Sequence, residues 1–128
     1  MNGTLVYEDY LSLYNSNNIK SLHFNKSQIQ PSSIDLSLSE ECYEIKTSFL
    51  SPDNKVRDKL KKISSKKISL KTTKILKKNK TYIIKLNETL NLSNSISGHC
   101  NPKSSTGRLN IFCRAILDYC DEYEKIPE

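Results

Sequence analysis

Apolar and polar residues alternate in several short runs along the chain. Ile34, Leu36 and Leu38 are interleaved with Asp35, Ser37 and Ser39, the period of two that predicts a strand with one buried face. Cys42 to Phe49 predicts a second strand, with Tyr43, Ile45 and Thr47 on one side. Ile68, Leu70 and Thr72 alternate with Ser69 and Lys71, giving a strand with a solvated basic face. Thr81 to Leu86, TYIIKL, is a further strand, and Ile19 to Phe24 and Leu90 to Ile96 supply shorter extended pieces. The apolar run Leu109, Ile111 and Phe112, then Ala115, Ile116 and Leu117, predicts a strand that ties the preceding loop to a sheet.

Two segments carry helical spacing instead. Leu5 to Tyr14 is amphipathic, with Thr4 as its N-cap and Glu8 and Asp9 in the first turn, and Asn15 to Asn18 break it. A second helix is expected to open at Ser51-Pro52-Asp53, with proline at its first position and Val56, Leu60 and Ile63 on one face. Asn79-Lys80 is the expected turn into Thr81. Many short strands separated by polar turns imply an all-β domain with minor helices, closed or nearly closed to protect its edges.

A length of 128 residues bounds the chain to one small domain with a modest core. Its apolar fraction of 36% is low. The strand patterns survive between the polar residues, so the abundant Lys, Asn, Ser and Ile fit an AT-rich coding bias better than disorder. A net charge of +6 favours an anionic partner: a nucleoside triphosphate, a nucleic acid or an acidic protein. Lysines are densest from Lys61 to Lys80. That stretch holds neither Arg nor aromatic residues, whereas single-strand binding pairs charge with stacking, so a protected sheet edge is favoured over a nucleic-acid surface. No apolar run is long enough for a transmembrane helix, and the N-terminus lacks a signal-peptide pattern, so no membrane role and a cytoplasmic location are expected. Cys42, Cys100, Cys113 and Cys120 form no C-x-x-C pair and have only His23 and His99 to join them, so reduced thiols are expected rather than a zinc site.

The densest chemistry lies in Asn101 to Asp118, NPKSSTGRLNIFCRAILD. Lys103, Ser104, Ser105 and Arg108 cluster around Gly107. Two cations, two hydroxyls and a glycine that permits close approach suit a phosphate. An ordinary polar turn before a strand is the alternative.

This segment resembles the nucleotide-binding motif of the dCTP deaminase and dUTPase superfamily, a basic-Ser-Ser-x-x-Arg loop. It is most similar to the first half of the long, two-domain bacterial dCTP deaminases, which carry an almost identical NPKSSTGRL. Gln28 to Leu38, QIQPSSIDLSL, resembles the "QPSSxDLxLG" strand of the same family, and the Ser48-Phe49-Leu50 stretch resembles its "SFLP". Pro52 to Leu60 continues the likeness, which extends from about Leu5 to Pro127.

The resemblance implies a distorted dUTPase-like β-barrel (β-clip) with small helices. It also implies zinc-independent deamination of dCTP to dUTP and ammonia, with dUTP hydrolysis or non-catalytic nucleotide binding as alternatives. Lys103, Ser104, Ser105, Gly107, Arg108 and Asp118 become the nucleotide-binding residues. Among them Arg108 and Ser104 support catalysis, and Asp118 contacts the sugar. Magnesium is implied as the companion of the triphosphate, with no metal held by protein residues. A homo-oligomer, a trimer in the family, or a complementing fragment is the implied partner. The family's catalytic glutamate lies on a strand after the position of Glu128, so the chain is expected to be an amino-terminal fragment. It would lack that strand, the other closing strands and the second domain of its longer relatives.

Overall fold

A computed structural model describes residues 3–63 and 65–126. Most of its regular structure is short strand, with a few small helices. The described residues fall into two compact units, one from residues 3–43, 67–76 and 82–92, the other from 44–66, 77–81 and 93–126. Strands β2 (Leu38–Ile45), β3 (Ser65–Ser69) and β4 (Thr81–Leu86) form one sheet in the order β3-β2-β4.

In the first unit, helix α1 spans Tyr7–Asn15. Glu8 and Asp9 occupy its first turn as expected, but Thr4 is not the cap. The helix starts after Val6, whose N–H donates to the Asp9 carboxylate at 2.9 Å. Asn17 then turns left-handed, with φ of 61°, and the helix stops within the asparagine-rich stretch. Strand β1 (Ile19–Lys20) pairs antiparallel with β5 (Thr89–Leu90), in the register Ile19 to Leu90. Ile19 and Ile29 are buried here, and the rings of Tyr14 and Phe24 stack at 3.8 Å.

The expected strand over Ile34 to Leu38 is displaced. Ile34 makes an isolated bridge to Ile29, and the regular strand begins only at Leu38. Side chains take the place of a ladder in between. Gln28 and Asp35 close a loop, with the Asp35 N–H on the Gln28 carbonyl at 2.8 Å and Gln28 Nε2 on the Asp35 carbonyl at 2.9 Å. The Ser37 N–H and hydroxyl donate to the two oxygens of Glu88, at 2.8 and 2.7 Å, and Gln28 Nε2 adds a third bond at 2.9 Å. Asn87 reaches the Ser37 hydroxyl and the Leu38 carbonyl, both at 3.0 Å.

In the second unit, helix α2 spans Val56–Lys62 and buries Leu60. It opens four residues later than the proline suggests. Ser51 is instead bridged to Cys120, and its hydroxyl donates to the Asn54 carbonyl at 2.8 Å, so Pro52 lies in a turn. Strand β6 (Gly98–His99) pairs antiparallel with β7 (Lys125–Ile126).

Thr81 to Leu86 is a strand as read, and Asn79 forms the turn before it, with φ of 60°. Among the described residues the strands make three separate small sheets and no closed barrel. The expectation of a closed or nearly closed sheet therefore does not hold. The core is correspondingly small, with Ile19, Ile29, Cys42, Ile45, Leu60 and Cys120 as its buried apolar side chains.

Candidate functional site

The phosphate-suited cluster lies on helix α3 (Ser104–Arg108), a single short turn. Lys103 precedes it in an extended conformation, and the Thr106 and Gly107 N–H groups close back onto the Lys103 carbonyl at 2.9 and 3.2 Å. Helical spacing puts Ser104 and Ser105 beside Arg108, four and three residues on. Lys103, Ser104, Ser105, Gly107 and Arg108 are all exposed. The first backbone N–H groups of any helix lack intrahelical acceptors, so donors accompany these side chains.

Asn110 ends the helix. It turns left-handed, with φ of 55°, and donates to the Gly107 carbonyl at 2.9 Å, while the Ile111 N–H reaches the Thr106 carbonyl at 3.2 Å. This paired closure is the Schellman arrangement, with asparagine in the position glycine usually takes. An asparagine one place beyond a short polar run was a readable stop signal, and sequence reasoning missed it.

The strand expected after the loop is absent. Leu109 and Asn110 are used in the helix closure, and residues 111–117 belong to no strand. The Ala115 carbonyl accepts from the Glu124 N–H at 3.1 Å, but no ladder forms along the segment. Leu109 is 72% exposed and Phe112 81%, so half of the apolar run faces solvent, while Ala115, Ile116 and Leu117 are half-buried.

Asp118 has a structural partner in this fold. Its Oδ1 accepts the Val56 N–H at 2.7 Å, at the first residue of α2. Lys55, the residue before that helix, offers no capping side chain, so a carboxylate 62 positions away in sequence supplies the cap. The Tyr119 N–H adds a bond to the Asn54 carbonyl at 3.2 Å.

Gly107 has an ordinary backbone conformation, and a Cβ built there would meet nothing within 4 Å. Nothing in the described fold requires glycine at this position.

Beyond the loop, Arg114 lies 5.0 Å from the Phe112 ring centre and 5.2 Å from that of Tyr123, with the Glu124 carboxylate at 3.9 Å. The Tyr123 hydroxyl sits 3.0 Å from that of Ser48. Glu122 pairs with Lys125 at 3.1 Å. The Glu124 carbonyl accepts the Cys100 N–H at 2.7 Å, and burial, then the Glu124 charge, push the Cys100 thiol up. All four cysteines are free thiols. Among the described residues no group of three His, Cys, Asp or Glu could hold a metal ion, and no helix is long and apolar enough to cross a membrane.

Residues 1–128 match the family of the 2'-deoxycytidine 5'-triphosphate deaminase (DCD) N-terminal domain. The chain belongs to the dCTP deaminase family. Its fold is similar to the crystal structure of 2'-deoxycytidine 5'-triphosphate deaminase from Agrobacterium tumefaciens, with a TM-score of 0.92 and 36% identity. The likeness covers 98% of this chain and 38% of that one, so the chain spans well under half the length of this relative. No curated protein matches it. The mostly-sheet architecture with small helices is thus the dUTPase-like fold of this family, present here without a closed barrel among the described residues.

Proposed function

We propose that this dCTP deaminase family chain carries the triphosphate-binding part of a cytoplasmic, oligomeric enzyme that converts dCTP and water to dUTP and ammonia without zinc. The observation that carries the reading is the exposed turn of α3, where Ser104, Ser105 and Arg108 stand side by side behind Lys103. Lys103 and Ser105 bind phosphate oxygens, and the open face at Gly107 lets a phosphate approach the backbone. Arg108 and Ser104 lie toward the pyrimidine end and stabilise charge as water adds at C4 and ammonia leaves. Asp118 holds α2 through Oδ1, and its second oxygen accepts a sugar hydroxyl.

Water activation needs a general base. Glu122 pairs with Lys125 and Glu124 approaches Arg114, so neither is assigned that role. The described residues build no metal site of their own. Magnesium therefore enters only as the counterion of the triphosphate, and no step is routed through it. Free thiols at all four cysteines suit a reducing compartment.

Titration with dCTP, dUTP and dGTP, with and without Arg108→Ala, tests the binding assignment. The wild type is expected to prefer the pyrimidine nucleotides, and the variant to lose that preference. Retained selectivity in the variant would remove Arg108 from the site. Incubation with dCTP and magnesium, following dUTP and ammonia, tests the reaction itself.

A further inference from the structure

Charge is distributed very unevenly along this chain. Residues 55–80 hold twelve of the twenty Lys and Arg but only one of the fourteen acidic residues, so this stretch is +11 while the remainder is −5. One part of the excess is gathered into a cavity of about 390 Å³ lined by Glu44, Ile45, Lys46, Ser65, Lys66, Asn79, Lys80 and Thr81. All eight residues lie within the second unit, and none belongs to α3.

The lining excludes an apolar ligand. Ile45 is its one hydrophobic side chain, and it is buried in the core. Three lysines line the cavity together with one carboxylate. Lys80 is held by that carboxylate, Glu44, at 3.1 Å. Lys46 and Lys66 have no carboxylate partner among the described residues. Asn79 and Thr81 add amide and hydroxyl donors, while the Ser65 hydroxyl already donates to the Leu60 carbonyl at 3.1 Å. Like charges gathered around a concavity with one counter-ion create a positive potential that a multiply charged anion relieves.

We propose that this groove is a second anion site, separate from the α3 turn, that takes a short polyphosphate chain. Compact ammonium charges on flexible stems suit phosphate oxygens without fixing a base. The lining holds neither Arg nor an aromatic ring, so stacked bases are not its ligand. The polyphosphate could be inorganic or the tail of a nucleotide, and the groove reads only the shared chemistry. This site does not depend on the nucleotide reading of α3.

The probe is inorganic tripolyphosphate, titrated into the full chain by calorimetry at fixed ionic strength. Lys46→Gln with Lys66→Gln is expected to weaken binding about tenfold, the loss of one or two charged hydrogen bonds. Glu44→Gln removes the competing carboxylate and frees Lys80, so it is expected to tighten binding, a gain that misfolding cannot mimic. In an Arg108→Ala background, which weakens the α3 turn, the groove is expected to keep its tripolyphosphate binding and its response to Lys46→Gln, Lys66→Gln and Glu44→Gln. Equal weakening by Lys74→Gln with Lys78→Gln would overturn the proposal in favour of diffuse attraction, as would no effect of Glu44→Gln.

Two further ligands identify the source. If dCTP in the Arg108→Ala background binds as tripolyphosphate does and competes with it, the groove accepts nucleotide tails. If only tripolyphosphate binds, the site is for the free anion. Tighter binding of a single-stranded oligonucleotide, with a steep salt slope, would replace the groove with a polynucleotide surface.

Discussion

Two residues of the candidate site separate folding from binding. At Gly107 the fold leaves open space and an ordinary backbone, so Gly107→Ala should leave the melting temperature unchanged or raise it slightly. The same methyl would stand where the proposed phosphate approaches, and dCTP binding should fall about tenfold or more. Unchanged affinity in a titration would show that no ligand comes close to this backbone. Asp118 behaves in the opposite way. Its oxygen caps α2 through Val56, so Asp118→Ala should cost about 1 kcal/mol in denaturant unfolding, within the range for lost caps. Asp118→Asn keeps an acceptor and should recover most of that loss. An Asn variant as unstable as the Ala variant would mean that charge, not the hydrogen bond, does the capping. The cluster Lys103 to Arg108 was legible in the sequence because hydroxyls, cations and glycine lie within six positions. The cap was not, since Val56 and Asp118 are joined only by folding.

At the scale of elements, sequence periodicity found Thr81 to Leu86, shifted β2 and β3 along the chain and missed the short β6–β7 pair. It misplaced Ile34 to Leu38, where side chains replace most of the ladder. Thr81 to Leu86 is a strand as read, because alternation and a left-handed Asn79 turn agree. Ile34 to Leu38 alternates just as well, yet the Ser37 N–H and hydroxyl go to the Glu88 side chain, and its carbonyl meets backbone at the Asn87 N–H, beyond the end of β4. Nothing in the local pattern announces a partner 51 residues away. Glu88 is only 8% exposed, and burial alone would raise its pKa. The Ser37 N–H, the Ser37 hydroxyl and Gln28 outweigh that effect and hold the carboxyl below its ordinary value of 4.5. A carboxyl with a lowered folded pKa contributes stability that is fully present above its unfolded value and is lost as pH falls through the folded one. Stability should therefore be flat near neutrality with respect to this group and decline below about pH 4.5. Glu88→Gln places an amide N–H₂ against donors and should cost about 1–3 kcal/mol at pH 7. The gap between variant and wild type should narrow in acid. A gap that stays constant from pH 7 to pH 3 in urea unfolding would show that the Glu88 charge contributes nothing.

On the scale of the whole molecule, the decisive feature is an apolar segment that finds no strand to pair with. Leu109, Ile111 and Phe112 are each more than half exposed, directly after the turn that bears Arg108. The sequence showed that this run is apolar and predicted a strand, but not that the described chain offers it no partner. That depends on which other strands are close, information that no local pattern contains. Large exposed apolar side chains gathered in one segment favour association. The purified chain is expected to self-associate, with an apparent mass that rises with concentration in sedimentation velocity. Leu109→Ser with Phe112→Ser should shift that equilibrium toward monomer by about tenfold or more, since each side chain loses roughly 1.5–3 kcal/mol of burial. These side chains contribute little to the monomer's own core, so its melting temperature at low concentration should hardly change. That pairing of results distinguishes association from partial unfolding, which would lower the melting temperature as well. A wild-type chain that stays monomeric over a hundredfold range of concentration would remove the 109–112 run as an association surface. Residues 109–112 would then need a different explanation for their exposure.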